Sequence, residues 1–225
     1  MGRIAAACAR VGRPASDVGL VAVSKTVPVE RLRDAVAAGL TTLGENRVQE
    51  LLQKAALLPG VHWHLVGHLQ GNKARAALDT GAVIEAVDSL ELAGRLDRLV
   101  ADAAAAAPAP PARPVYLQVN VDADPAKAGF SPTALAATLP DLAALSHLRL
   151  DGLMTVGRLV PTAQAARPTF VALRRLSEDL RTRQPDLGPG LSMGMSDDFE
   201  VAVEEGATIV RVGRAIFGER PFGPR

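Results

Sequence analysis

VGLVAVSKTVPVERLRDAVAAG (18–39) reads as one strand followed by one helix. VGLVAVSK (18–25) is an apolar, β-branched run that stops on a lysine, and PVERLRDAVAAG (28–39) is amphipathic at helical spacing. Pro28 suits a first helical turn and Gly39 suits a C-terminal cap.

The same unit recurs outward from there. Further strands are expected at 41–46, 62–68, 82–89, 114–122, 148–156, 187–196 and 207–218, and further helices at 46–58, 73–81, 90–107 and 163–183. Eight strands alternating with helices predict a parallel sheet, and eight is the count that closes a (β/α)₈ TIM barrel. An open doubly wound sheet is the rival, but no GxGxxG follows the first strand. The barrel uses nearly all of 225 residues, so one domain over 1–225 is expected. AAAAAPAPPARP (103–114) reads as a helix end and a long surface loop.

Composition removes several classes of function. A formal charge of +1 gives no long-range pull toward nucleic acid or a membrane, and 3% aromatics make a base-stacking platform unlikely. The lone Cys8 rules out an internal disulfide, and there is neither an apolar leader nor a membrane-length run, which predicts a soluble, cytoplasmic protein.

In barrels of this kind, chemistry gathers at the C-terminal ends of the strands. The ends read from the sequence are Lys25, Asn46, His68, Ser89, Asn120, Met154 with Thr155, Ser192 with Ser196, and Arg211 with Gly213 and Arg214. Lys25 stands out because the chain has 21 arginines and only four lysines. A desolvated lysine loses its proton far more readily than arginine, and a neutral amine attacks carbonyls. LSMGMSDD (191–198) and RVGRAIFG (211–218) lie after strands seven and eight, where this fold usually cradles phosphate.

Competing structural roles stand beside two of these residues. Ser196 is equally placed to cap the helix that follows, and Asp197 and Asp198 oppose an anion there unless Arg214 offsets them. Asn46 and Gln49 have the spacing of a capping box. His62, His64 and His68 share one strand face, but the outer two are about 20 Å apart in an extended strand. Metal binding is therefore disfavoured, and His64 is expected to be packed and hydrogen-bonded.

An amine beside a phosphate cradle suggests an aldehyde that carries a phosphate, with pyridoxal 5′-phosphate as the candidate cofactor, held as an imine on Lys25. The motifs AVSKT (22–26), GENRVQE (44–50), WHLVGHLQGNK (63–73), GLMTV (152–156), SMGMSDD (192–198) and VRVGRAIFG (210–218) together resemble the pyridoxal-phosphate homeostasis proteins. These are barrels similar to the N-terminal domain of alanine racemase. The resemblance spans essentially the whole chain, and it implies a fold-type III architecture. It matches Lys25 to the imine-forming lysine and Arg211 to the arginine facing the pyridine nitrogen. It matches Ser196, Gly213 and Arg214 to the phosphate contacts, and it places Asn46, Met154 and Ser192 along the cofactor. Position 214 is often threonine in that family, and the first helix, GRIAAACARVG, looks about half the expected length.

The resemblance implies a role in vitamin B6 homeostasis: holding the cofactor and releasing it to apo-enzymes, without catalysis. Racemisation needs a base on each face of the substrate. In alanine racemase the second is a tyrosine from an extra domain, whereas this chain has only Tyr116, early in strand five. The alternative is a low-activity fold-type III amino-acid racemase or decarboxylase. No metal, nucleic acid or membrane partner is expected, and a monomer is.

Overall fold

The computed structural model describes residues 1–104 and 111–218. Its centre is a closed barrel of eight parallel strands in chain order. The strands are β1 (Gly19–Val23), β2 (Thr42–Glu45), β3 (His62–Leu65), β4 (Val83–Val87), β5 (Arg113–Gln118), β6 (Leu148–Met154), β7 (Gly190–Ser192) and β8 (Ile209–Val212). Around it run α1 (Gly2–Arg10), α2 (Val29–Ala37), α3 (Val48–Leu57), α4 (Ala74–Asp79), α5 (Leu90–Ala104), α6 (Pro132–Ala143), α7 (Arg167–Arg183), α8 (Phe199–Glu204) and α9 (Arg214–Phe217). The TIM barrel expected from the strand-helix alternation is therefore present.

Period-2 alternation explains the division of the strands, except in β4, where an irregularity between Ile84 and Val87 brings the adjacent Glu85 and Ala86 to the same inner side. One parity faces the helices: Leu43, Leu65, Leu117, Leu153 and Val210 join one large apolar cluster with Leu32, Leu51, Leu96, Leu135 and Phe170 of the helices. The other parity fills the barrel. There Tyr116, Met154 and Ala86 form a small apolar cluster, and Glu85, Ser192 and Arg211 are buried polar neighbours. Barrel interiors are usually filled with bulky branched side chains, so a buried carboxylate and guanidinium at this level need a reason.

The barrel closes where β1 meets β8, with Val21 opposite Arg211 and Ala22 opposite Val212. This seam brings the two ends of the chain's strand order together, and with them Lys25 and the 211–214 turn. Pro28 is the N-cap of α2, and Gly39, just past its C-cap, has φ 98°. α1 is short, at nine residues, but it buries Ile4, Ala7 and Cys8, and Arg3 and Arg10 form ion pairs to Glu200 and Glu204 of α8. Arg13 donates to the carbonyls of Val203 and Ala207 at 2.8 and 3.1 Å, covering the C-terminal end of α8. The loop expected at 103–114 begins as the end of α5 and finishes as the start of β5, while 105–110 lie outside the described residues.

Candidate functional site

β1 ends at Val23, and the half-buried Lys25 follows within a tight turn at the barrel mouth. Ser24 still pairs with β2, its N–H donating to Gly44 O at 2.8 Å, and Val27 N–H closes the turn on Ser24 O at 3.0 Å. Thr26 has φ 65°, a left-handed conformation that a β-branched residue rarely adopts.

Across the seam, Gly213 follows β8. A Cβ built on it would lie 3.0 Å from Val23 O, so glycine lets this turn press against the end of β1. Ser196 faces the same turn: Ala215 N–H, in the first turn of α9, points to its Oγ at 3.4 Å. The N-cap of α8 is Asp198, so Ser196 does not cap that helix. The two acids of the loop are both engaged. Asp197 is ion-paired with Arg214, and Asp198 Oδ1 accepts Met195 N–H at 2.6 Å. Burial raises the Asp198 carboxyl above its ordinary range, against the Met195 hydrogen bond and the nearby charge of Arg211. In the acidic loop, the Asp197 charge is thus offset by Arg214.

Asn46 is half-buried just past β2. The N-cap of α3 is Arg47, with no side-chain cap bond, so the capping box of Asn46 and Gln49 is not formed. Gly67 packs against it; a Cβ there would lie 2.3 Å from Asn46 O. The Asn46 side chain borders a cavity on the rim, together with Gln49, His68, Gln70 and Lys73.

Beneath the mouth, Arg211 is buried and fixed. Its Nη1 donates to Ser192 Oγ at 2.6 Å and its Nη2 to Thr155 O at 2.6 Å. Ser192 Oγ in turn donates to Glu85 Oε2 at 2.5 Å, and His64 Nδ1 lies 2.5 Å from Glu85 Oε1. Arg211 and Glu85 approach to 3.9 Å. Burial pushes the Glu85 carboxyl up more than any other single effect, but His64, Arg211 and Ser192 together outweigh it and hold the carboxyl below its ordinary range. Burial lowers the Arg211 guanidinium, against the charges of Glu85 and Asp198. Met154 is fully buried beside this network, on the inner face.

Of the strand ends read from the sequence, those of β1, β6, β7 and β8 gather around the mouth and its floor. Asn46 stands on the adjacent rim, and Ser89, Asn120 and His68 have local duties. Ser89 Oγ accepts Leu92 N–H at the start of α5, and Asn120 binds its own loop through Asp124 O and Lys127 O. His68 is exposed and pairs with Asp88, whereas His64 is hydrogen-bonded inside the barrel as expected. Among the described residues, no group of three or more His, Cys, Asp or Glu is arranged to hold a metal ion.

Sequence reasoning missed Glu85. Its signal was available: a lone carboxylate inside AVIEAV (82–87), where a strand buried on both faces has no place for an unpaired charge.

A half-buried amine, a glycine turn with hydroxyl and basic neighbours, and an anchored guanidinium beneath the mouth fit an aldehyde that bears a phosphate and a ring. Comparison with known proteins points the same way. The family described as "Alanine racemase, N-terminal domain" matches residues 2–221. A pyridoxal phosphate homeostasis protein of Pseudomonas aeruginosa is 42% identical over 98% of this chain and 93% of its own length. One from Aquifex aeolicus is 38% identical over 98% of this chain and 95% of its own. PipY of Synechococcus elongatus PCC7942, solved with PLP bound, superposes with a TM-score of 0.82 at 42% identity, over 96% of this chain and all of that one. Alanine racemase of Clostridium difficile shares the fold, with a TM-score of 0.74 at 13% identity, over 98% of this chain and 58% of the enzyme. The chain belongs to the alanine racemase N-terminal domain family, within its pyridoxal phosphate homeostasis proteins.

Proposed function

We propose that this protein holds pyridoxal 5′-phosphate at the barrel mouth and passes it to apo-enzymes, as a single-domain monomer in the cytoplasm. The observation that carries the reading is the β1–β8 seam, where Lys25, the Gly213 turn and the anchored Arg211 converge. Relatives at 38–42% identity are named for this homeostasis, and the PipY structure contains the cofactor. When bound, pyridoxal phosphate supplies an aldehyde that a primary amine takes up reversibly with loss of one water.

The chain's own residues then have defined roles. Lys25 provides the amine; Ser196, Gly213 and Arg214 hold the phosphate; Asn46 and Met154 line the space between. Ser192 and Thr155 orient Arg211, whose positive charge opposes a second one on a ring nitrogen beside it. An unprotonated ring is a poor electron sink, so this site favours holding over carbanion chemistry. Tyr116 does not serve as a second base at the mouth. It is buried on β5 with Ala86 and Met154, and burial, followed by Glu85 and Asp151, pushes its phenol well up.

The test has two arms. Loaded protein is expected to restore activity to a pyridoxal-phosphate apo-enzyme while leaving the α-proton of alanine unexchanged in deuterated water. Exchange above that of a Lys25→Ala control would favour a racemase or decarboxylase instead.

A further inference from the structure

The residues on either side of Lys25 are both gripped from outside the barrel. Lys54, on α3, donates to Ser24 O at 2.8 Å and to Glu45 Oε1 at 2.7 Å, and lies 3.2 Å from Glu50 Oε2. Glu50 Oε2 accepts the N–H of Thr26 at 2.8 Å, and Ser24 Oγ donates to Glu45 Oε1 at 2.7 Å. An ammonium has three donors, and Lys54 has three acceptors around it. One is the carbonyl of Ser24, and each of the other two holds a residue that flanks Lys25.

Lys54 is 7% exposed and Glu45 fully buried. Lysine is rarely buried this far, and a buried ion pair is weak evidence for stability. Glu45 Oε2 is buried without a hydrogen-bond partner among the described residues, and burial raises that carboxyl against the pull of Lys54 and Ser24. A cluster that tolerates such a defect is poorly explained by its own stability. Its contacts are better explained by what they fix: the peptide groups before and after Lys25, with Thr26 kept at its positive φ.

We propose that Lys54, with Glu45 and Glu50, forms a positioning device that sets the direction in which Lys25 presents its amine. The proposal rests on the reading of Lys25 as the cofactor's amine. The three residues do not touch the cofactor; they act through the backbone of the Ser24–Thr26 turn.

Glu50 offers the cleanest test, because its side chain is 23% exposed and its removal leaves the barrel core intact. Glu50→Ala and Glu50→Gln would be titrated with pyridoxal phosphate, recording the dissociation constant, the pH midpoint of the visible band and Tm. Glu50→Ala is expected to weaken binding about tenfold, the scale of one charge-assisted hydrogen bond, and to move the midpoint by about half a unit. Glu50→Gln keeps an oxygen for Thr26 N–H and is expected to recover most of both. The paired change Lys54→Met with Glu45→Gln avoids stranding a buried charge and is expected to shift the midpoint in the same direction. A folded Glu50→Ala protein with wild-type affinity and midpoint would overturn the proposal, as would equal damage from Ala and Gln. A wild-type protein that takes up pyridoxal phosphate at a residue other than Lys25 would instead overturn the reading beneath it.

Discussion

Thr26 holds a left-handed backbone at φ 65° directly after Lys25, at a cost of about 1–2 kcal/mol for an L-residue with a side chain. Thr26→Gly should therefore leave Tm unchanged or raise it, while loosening the turn and weakening cofactor binding; calorimetry and a binding titration check the two halves separately. Gly213→Ala should act in the opposite way on packing, because the new methyl meets Val23 O at 3.0 Å. We expect at least tenfold weaker binding of pyridoxal phosphate with a far smaller change in Tm. The two glycine-related changes thus probe the two sides of the same seam. At this scale the position of Lys25, two residues past β1, was legible because the apolar run stops there. Ser196 and Asn46 were not decidable, since each also fitted a helix cap, and only the observed caps at Asp198 and Arg47 separated the roles. Glu85 has no local signal of its partner, because it meets Ser192, 107 positions away.

The β/α units were legible as elements from their alternating periods, and their limits less so. LGPGLSMGMS (187–196) reads as a long strand, yet β7 is only Gly190–Ser192. The flank before it packs against Asp151, and the flank after it leads to Ser196 beside α9. α6 had no individual signal in our reading, being a run of Ala, Leu and Thr with Pro140 inside it; Ser131 caps it by accepting Ala134 N–H. The first helix, short in sequence, is anchored by more than its apolar face. Arg13 covers two carbonyls at the end of α8, so Arg13→Ala should lower stability by about 1–2 kcal/mol, roughly 2–8 °C in Tm for a domain of this size. Cofactor affinity should hardly change, because Arg13 bonds Val203 O and Ala207 O rather than the turn around Lys25. A matching loss of affinity would show that α8 transmits to the loop above it.

At the scale of the molecule, a polar interior replaces part of the apolar filling of the barrel. His64, Glu85, Ser192 and Arg211 connect β3, β4, β7 and β8 across the lumen. Because the Glu85 carboxyl is held below its unfolded value of about 4.3, the native state binds fewer protons than the unfolded chain between the two values. Its contribution is fully present above the unfolded value and is lost as pH falls through the folded one. Glu85→Gln should therefore be less stable than wild type at neutral pH, with the gap closing in acid; equilibrium unfolding between pH 3 and pH 7 checks the sign. The same network keeps Arg211 rigid under the mouth, which is the reason a guanidinium belongs in this core. Among the described residues, no helix is long and apolar enough to cross a membrane.

Every role we propose at the barrel mouth depends on Lys25 being the amine that takes up pyridoxal phosphate. The most direct measurement is the absorption spectrum of the protein with added cofactor, before and after borohydride, followed by peptide mapping beside a Lys25→Ala control. We predict a visible band that borohydride abolishes, with the reduced label on Lys25 and none on the control. A protein that gains no band, or one whose label falls on Lys54, Lys73 or Lys127, would show that Lys25 is not that amine.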